Sequence, residues 1–233
     1  MSILPDIVTF YPGTEFAGAG FRANAYLLNL DGFKVLIDPS LRLEEDVDML
    51  LLTHAHYDHI IELPYWHDEK KVKLLCPKRD DYLLHDPVAN CSPMFGPART
   101  FSPADYYYGD RETIDLGEDY VFWALNTPGH THGSSCLFLF KKPENEDFHC
   151  DLVDGKLVSN GELILLISGD TIFDDSVGRV DLVTSDVKEM KQSLTILDGI
   201  LRNLDRELPV MAGHGDVCTL GYLLDHNFYL KAR

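Results

Sequence analysis

The stretch Thr53-His54-Ala55-His56-Tyr57-Asp58-His59-Ile60 places three imidazoles and a carboxylate within six positions. Four coordinating side chains that close together are hard to explain as packing. Imidazole and carboxylate are the donors that zinc-like and iron-like ions take up. Three further candidates stand far off in the chain: His130 in TPGHTHGS, Asp170 in SGDTIF and His214 in AGHG. Seven donors exceed what one tetrahedral ion uses, whereas two ions about 3.5–4 Å apart that share a carboxylate absorb all of them. His54 and His56 can point the same way, because alternate residues of extended chain share a face. Asp58 and His59 follow where the backbone turns, within reach of a second ion. A water between two cations loses its proton near neutral pH and becomes a nucleophile without a protein base. Its attack on a carbonyl builds an oxyanion that the same cations stabilise. No Ser-His-Asp triad is evident.

These donors need elements that bring them to one place. Each donor segment follows a strand-like apolar run, and strand ends in a layered sheet converge on one edge. Strands are predicted over 24–30 and 34–38 around the Asp31-Gly32 turn, a hairpin signal. The run 47–52 has strand length and needs cover on both faces. A short helix is predicted from His59 to about Asp68, then a strand over 72–76. The stretch from about 86 to 110, rich in Pro, Gly and aromatics, is too long for a simple connector and is a candidate for substrate contact. Its run Tyr106-Tyr107-Tyr108 is expected to pack that loop down. Strands resume over 120–125, 136–140, 163–167 and 210–211. Val187, Met190, Leu194, Leu197, Leu201, Leu204 and Leu208 recur at three- and four-residue spacing. That spacing predicts one long final helix from the Asp186/Glu189 capping box to the stop at Pro209. Strands followed by helices in both halves indicate layered α/β architecture. The chain is expected to form a single domain over 1–233, with an inserted hairpin at about 141–162 turning at Asp154-Gly155. His67, His85 and His226 have no partners at motif spacing and are assigned to packing or surface. His132 is a candidate hydrogen-bond partner for a ligand, and Asp38, at a strand end, a candidate to orient a ligand histidine.

Composition removes several classes. The net charge of −18 repels phosphate backbones, so no nucleic-acid partner is expected. No apolar run approaches the roughly 18 residues of a bilayer span, so no membrane partner is expected either. The start MSILPDIVTFYPG lacks the basic region of a signal peptide. Five cysteines, odd in number and without a CxxC pair, fit reduced thiols and a cytoplasmic setting.

HAHYDH, TPGHTHGS, GDTIFDDSVGR and GHG, in that order, resemble the metallo-β-lactamase superfamily, and within it the short single-domain members of the glyoxalase II (hydroxyacylglutathione hydrolase) branch. The resemblance spans about 24–214. It implies a four-layer αββα sandwich with a two-metal site at one sheet edge. It further implies that His54, His56 and His130 hold one ion, that Asp58, His59 and His214 hold the other, and that Asp170 bridges. Asp58 and Asp170 thereby become catalytic as well as ligating. The cofactors implied are two divalent ions, zinc first, with iron or manganese acceptable to the same donors. Arg179, nine residues after the bridging aspartate, takes the position of a substrate-binding residue. The reaction implied is cleavage of a small-molecule thioester, such as S-D-lactoylglutathione to D-lactate and glutathione, by a metal-bridging hydroxide. Two alternatives share the fold: a mononuclear-iron persulfide dioxygenase and a lactonase. Departures bear on the thiol. Asp216 stands where longer members carry a glutathione-contacting tyrosine. The sequence runs only 19 residues past His214, so no separate C-terminal glutathione-binding domain is expected.

Overall fold

Apolar runs that do not alternate with polar residues need neighbours on both faces, and the computed structural model gives them these; it describes residues 3–15, 20 and 22–231. The first sheet holds β1 (Val8–Tyr11), β2 (Ala25–Leu30), β3 (Phe33–Ile37), β4 (Met49–Leu51), β5 (Lys73–Pro77) and β6 (Tyr106–Tyr108), in chain order across the sheet. Helix α1 (Tyr57–Ile60) follows β4, and α2 (Asp81–His85) follows β5. The second half supplies β7 (Thr113–Asp115), β8 (Tyr120–Asn126), β9 (Ser135–Lys141), β10 (Cys150–Val153), β11 (Lys156–Ser159), β12 (Glu162–Gly169), α3 (Val187–Leu201), β13 (Pro209–Ala212), β14 (Cys218–Thr219), α4 (Leu220–His226) and α5 (Phe228–Lys231). Six of its strands form the second sheet, ordered β14-β13-β12-β9-β8-β7, while β10 and β11 make a separate ribbon.

The alternation of side chains along each strand explains the layering. In β8, Val121, Trp123 and Leu125 face α3, α4 and α5, while Phe122 and Ala124 face the other sheet. In β9, Cys136, Phe138 and Phe140 take the helical side and Leu137 and Leu139 the inter-sheet side. The first sheet mirrors this: Ala25 and Leu27 pack with residues of α1 and α2, and Tyr26, Leu28 and Leu30 meet the second sheet. Helices therefore cover both outer faces of two stacked sheets, an αββα sandwich of the α/β class.

Several predicted elements differ from the observed ones. α1 begins at Tyr57, inside the histidine motif, and ends at Ile60. It cannot run on to residue 68, because Pro64 has no N–H to donate to the carbonyl of Ile60; a single π-turn at Pro64–Glu69 follows instead. α3 stops at Leu201, short of Pro209. Asn203 donates its side-chain amide to the Gly199 carbonyl and Asp205 accepts from the Glu207 N–H, local bonds that compete with the helix. Leu204 and Leu208 still pack on the core that α3 covers, so their spacing reflects that shared surface. Nor is α3 the final helix, since α4 and α5 follow it. Tyr106–Tyr108 is an edge strand parallel to β5; only Tyr108 is buried, donating its hydroxyl to the Leu52 carbonyl at 2.7 Å. The ribbon packs Leu152 and Leu157 against the helix-side core of the second sheet.

Candidate metal centre

Both sheets contribute to one edge. The turn from β4 into α1 carries His54 and His56, and α1 itself Asp58 and His59; the β8–β9 loop carries His130, Asp170 follows β12, and His214 follows β13. Their donor atoms form three overlapping groups, each within 4.8 Å: His54/His56/His130, His54/His59/Asp170 and Asp58/His59/His214. Asp170 lies between them. Its Oδ1 is 3.3 Å from His59 Nε2, and its Oδ2 is 3.4 Å from His130 Nε2 and 3.5 Å from His214 Nε2. His214 Nε2 also sits 3.0 Å from Asp58 Oδ2, and His56 Nδ1 lies 2.8 Å from His130 Nε2.

The surroundings fix which ring nitrogen faces inward. Asp38, at the end of β3 in a left-handed conformation (φ 50°), accepts from the Thr53 N–H at 2.8 Å and the Thr53 hydroxyl at 2.7 Å. With its proton committed to Asp38, Thr53 Oγ1 can only accept from His54 Nδ1, 3.2 Å away, which leaves the His54 Nε2 lone pair free. Asp38 also takes the Nδ1 proton of His59 at 2.9 Å. His130 Nδ1 donates to the Arg179 carbonyl at 2.9 Å. His56 turns the other way, with Nε2 against Thr184 Oγ1 at 3.0 Å and Nδ1 facing the cluster. His54, His56, His59 and His130 thus each present one nitrogen to a common space while the other is held by an outer partner, the arrangement that orients metal-ligating histidines.

Electrostatics agree with that chemistry. Burial, reinforced by neighbouring rings, pushes His54 and His56 well below the usual imidazole range, and His130 is lowered chiefly by burial too. Neutral rings are what a cation requires. Burial also opposes charge on His59 and His214, but nearby carboxylates outweigh it and raise both: Asp170, Asp38 and Asp58 for His59, Asp170 and Asp58 for His214. The same histidines hold Asp170 well below the carboxylate range and lower Asp58, despite the burial of both. His54 Nε2, His59 Nε2 and Asp170 Oδ1 are buried without a hydrogen-bond partner. The last two are close but not aligned for a hydrogen bond. Buried polar atoms are ordinarily satisfied, and three orphans converging with neutral rings and two carboxylates fit divalent cations.

Other residues have different partners from those the sequence indicated. Arg179 lines the cavity above the donors, yet its guanidinium forks onto Asp181 with two bonds of 2.9 Å. Its carbonyl is what contacts the centre, through His130. His132 turns away to Glu189 at 3.0 Å. Asp80 carries no mark in the sequence, yet it is a fully buried carboxylate that receives Ala55 N–H (3.2 Å), Thr131 hydroxyl (2.7 Å) and Gly133 N–H (2.6 Å). It joins the loop of His54 and His56 to the loop of His130. Gly213 is constrained as well: a Cβ there would run into Asp170 Oδ1 and His59 Cε1. Gly213→Ala is therefore expected to cut metal affinity at least about 10-fold, measured by competition with a chromophoric chelator; an unchanged affinity would show that the two side chains yield freely.

The model of the metallo-beta-lactamase superfamily matches residues 18–153, which include the histidine motif and His130 but not Asp170 or His214. The chain is 30% identical over 230 residues to a probable metallo-hydrolase of Methanocaldococcus jannaschii, covering 86% of this chain and 91% of that one. A probable metallo-hydrolase of Bacillus subtilis is 27% identical, with 90% and 93% covered. Among solved structures, the B3 metallo-beta-lactamase BLEG-1 superimposes with a TM-score of 0.72 at 28% identity, over 96% of this chain and 99% of that one. A protein crystallised in a di-iron-bound form gives 0.64 at 24% identity, over 94% and 100%, a likeness of fold. With two stacked sheets, a donor set gathered at their edge and a family model that covers more than half its length, this chain belongs to the metallo-beta-lactamase superfamily.

Proposed function

We propose that the chain is a binuclear metallo-hydrolase that cleaves small thioesters in the cytoplasm, by chemistry of the hydroxyacylglutathione hydrolase type. The observation that carries it is the placement of Asp170, one carboxylate within reach of His130 on one side and of His59 and His214 on the other. His54, His56 and His130 would hold the first ion and Asp58, His59 and His214 the second, with Asp170 shared; zinc suits these donors, and iron or manganese is acceptable to them. Two such ions supply a water acidic enough to attack at neutral pH and positive charge for the developing oxyanion.

What the chain itself adds favours a thioester. A cavity of about 270 Å³ opens over the donors. Apart from the donor set, its titratable lining residues are Cys91 and Arg179. Burial raises the Cys91 thiol, making it a poor acid, and Asp181 holds Arg179 protonated. A thiolate departs without a proton, so a thioester asks no acid of this lining. Cys91, Met94, Phe95, Phe173, Val177 and Leu182 make the rest of the wall apolar, which strengthens every charge interaction at the floor by excluding water. A reducing compartment suits the five cysteines, all of them free thiols.

The test combines metal analysis with turnover of S-D-lactoylglutathione and of S-acetyl-N-acetylcysteamine. Two ions per chain are expected, with hydrolysis that a chelator removes and zinc restores. One iron per chain with oxygen uptake on glutathione persulfide and no hydrolysis would assign a dioxygenase instead. Turnover of lactones alone would assign a lactonase.

A further inference from the structure

The cavity above the donors does not end at its own rim. Four of its lining residues, Cys91, Met94, Arg179 and Leu182, also line a second cleft of about 400 Å³, completed by Val88, Pro93, Asp181 and Val183. The outer cleft is apolar and open to solvent, with Val88, Met94 and Val183 each more than half exposed. These side chains extend the apolar wall of the inner cavity outward, the kind of lining that ligand clefts have. Among the described residues Arg179 is the one Lys or Arg side chain lining either cavity, and Asp181 already takes its two-pronged bond. A substrate arm with carboxylates, such as the glutathionyl group, would have to compete with Asp181 for Arg179.

The wall is also preformed. Asn90 donates its side-chain amide to the Leu83 and Arg99 carbonyls, both at 3.0 Å, and accepts from the Ser92 N–H at 2.9 Å. Its own carbonyl receives the Tyr57 N–H at 2.8 Å, so the wall is tied directly to α1, between His56 and Asp58. Asp86 caps the Val88 and Ala89 N–H groups at 2.9 and 3.2 Å. Cys91 itself is held in a left-handed conformation at φ 65°, a costly geometry that persists only where the surroundings impose it. A fixed apolar cleft binds without first ordering itself.

We infer that this outer cleft binds the aliphatic acyl chain of the substrate, so that the enzyme selects medium-chain acyl thioesters of uncharged thiols. The inference rests on the thioesterase reading and adds the substrate class. Burying each methylene should raise kcat/KM about three- to fourfold until the cleft is full.

The experiment measures kcat/KM for N-acetylcysteamine thioesters from acetyl to decanoyl, on the metal-loaded enzyme. It is paired with calorimetric binding of the matching carboxylates, acetate to decanoate. A rising series is expected in both. Val183→Glu should cut the octanoyl-to-acetyl ratio at least tenfold, while Val158→Glu, the same change on the distant ribbon, should leave that ratio as in the wild type. Because each variant is scored by its own ratio, a general loss of activity cancels. Thioester turnover that is flat with chain length overturns the acyl cleft and leaves the thioesterase standing. If no thioester turns over, the thioesterase reading fails, and the carboxylate series then decides the cleft: binding that strengthens with chain length and is lost in Val183→Glu supports it, and flat binding refutes it.

Discussion

Asp170→Ala should lower thioester turnover by on the order of 10³-fold or more and leave the protein with one tightly held ion. The carboxylate is 6% exposed and stands within 3.5 Å of His59, His130 and His214, so no other side chain can replace its reach to both ligand groups. Its loss removes a negative charge that raises the His59 and His214 imidazoles against their burial. Asp170→Asn keeps the volume and one acceptor oxygen but not the charge, and it should lose the second ion as well. Circular dichroism on both variants separates this from misfolding. Retention of two ions with more than a tenth of the activity would remove Asp170 from the shared position.

Asp80→Ala should cost about 3–5 kcal/mol of stability, because it strands the Ala55 and Gly133 N–H groups in the interior and removes one partner of the Thr131 hydroxyl. It should also weaken metal binding about 10- to 100-fold, since the two joined loops carry His54, His56 and His130. The pH dependence has a definite sign. Burial pushes the Asp80 carboxyl up to about 6 against the downward pull of its hydrogen bonds, from 3.8 when unfolded. Between those values the folded chain binds more proton than the unfolded one, so stability from this group is fullest below pH 4 and falls as pH rises to 6. The fall amounts to roughly 3 kcal/mol for about two pH units. Urea unfolding of the chelated protein should therefore show a larger wild-type-to-variant gap at pH 4.5 than at pH 8. A gap that widens with pH would contradict the buried, proton-binding role of Asp80.

The candidate donors are legible because ligands announce themselves by residue type, by close spacing in residues 54–59, and by the Gly or Pro turns around His130, Asp170 and His214. The seven side chains do converge in the fold. Residues that act through the backbone carry no such mark. Asp80 takes two of its three bonds from main-chain N–H groups, and in the sequence KRDDYLLH it looks like any acidic helix start. Arg179 stands out in the sequence by its basic side chain, but its carbonyl is what reaches His130, and a carbonyl has no sequence signature. Elements failed for related reasons. The leucine spacing that overran α3 is shared by any segment packed on the same core, and periodicity does not show where helical hydrogen bonds stop. α4 did have a signal, Leu220, Leu223 and Leu224 after the capping Thr219, but at seven residues it is too short for periodicity alone.

One feature of the architecture reaches beyond chemistry. The donors come from both sheets, and near them the halves are joined by backbone bonds: Asn24 N–H to the Gly213 carbonyl and Ser135 N–H to the Thr53 carbonyl. Ions held at this edge would rivet the two halves of the molecule together, and free metal concentration becomes a variable of folding. Each site at a hundredfold excess over its Kd adds about 2.7 kcal/mol to the folded state. In a cell, scarcity of metal would then set the lifetime of the protein against proteolysis as well as its rate of catalysis.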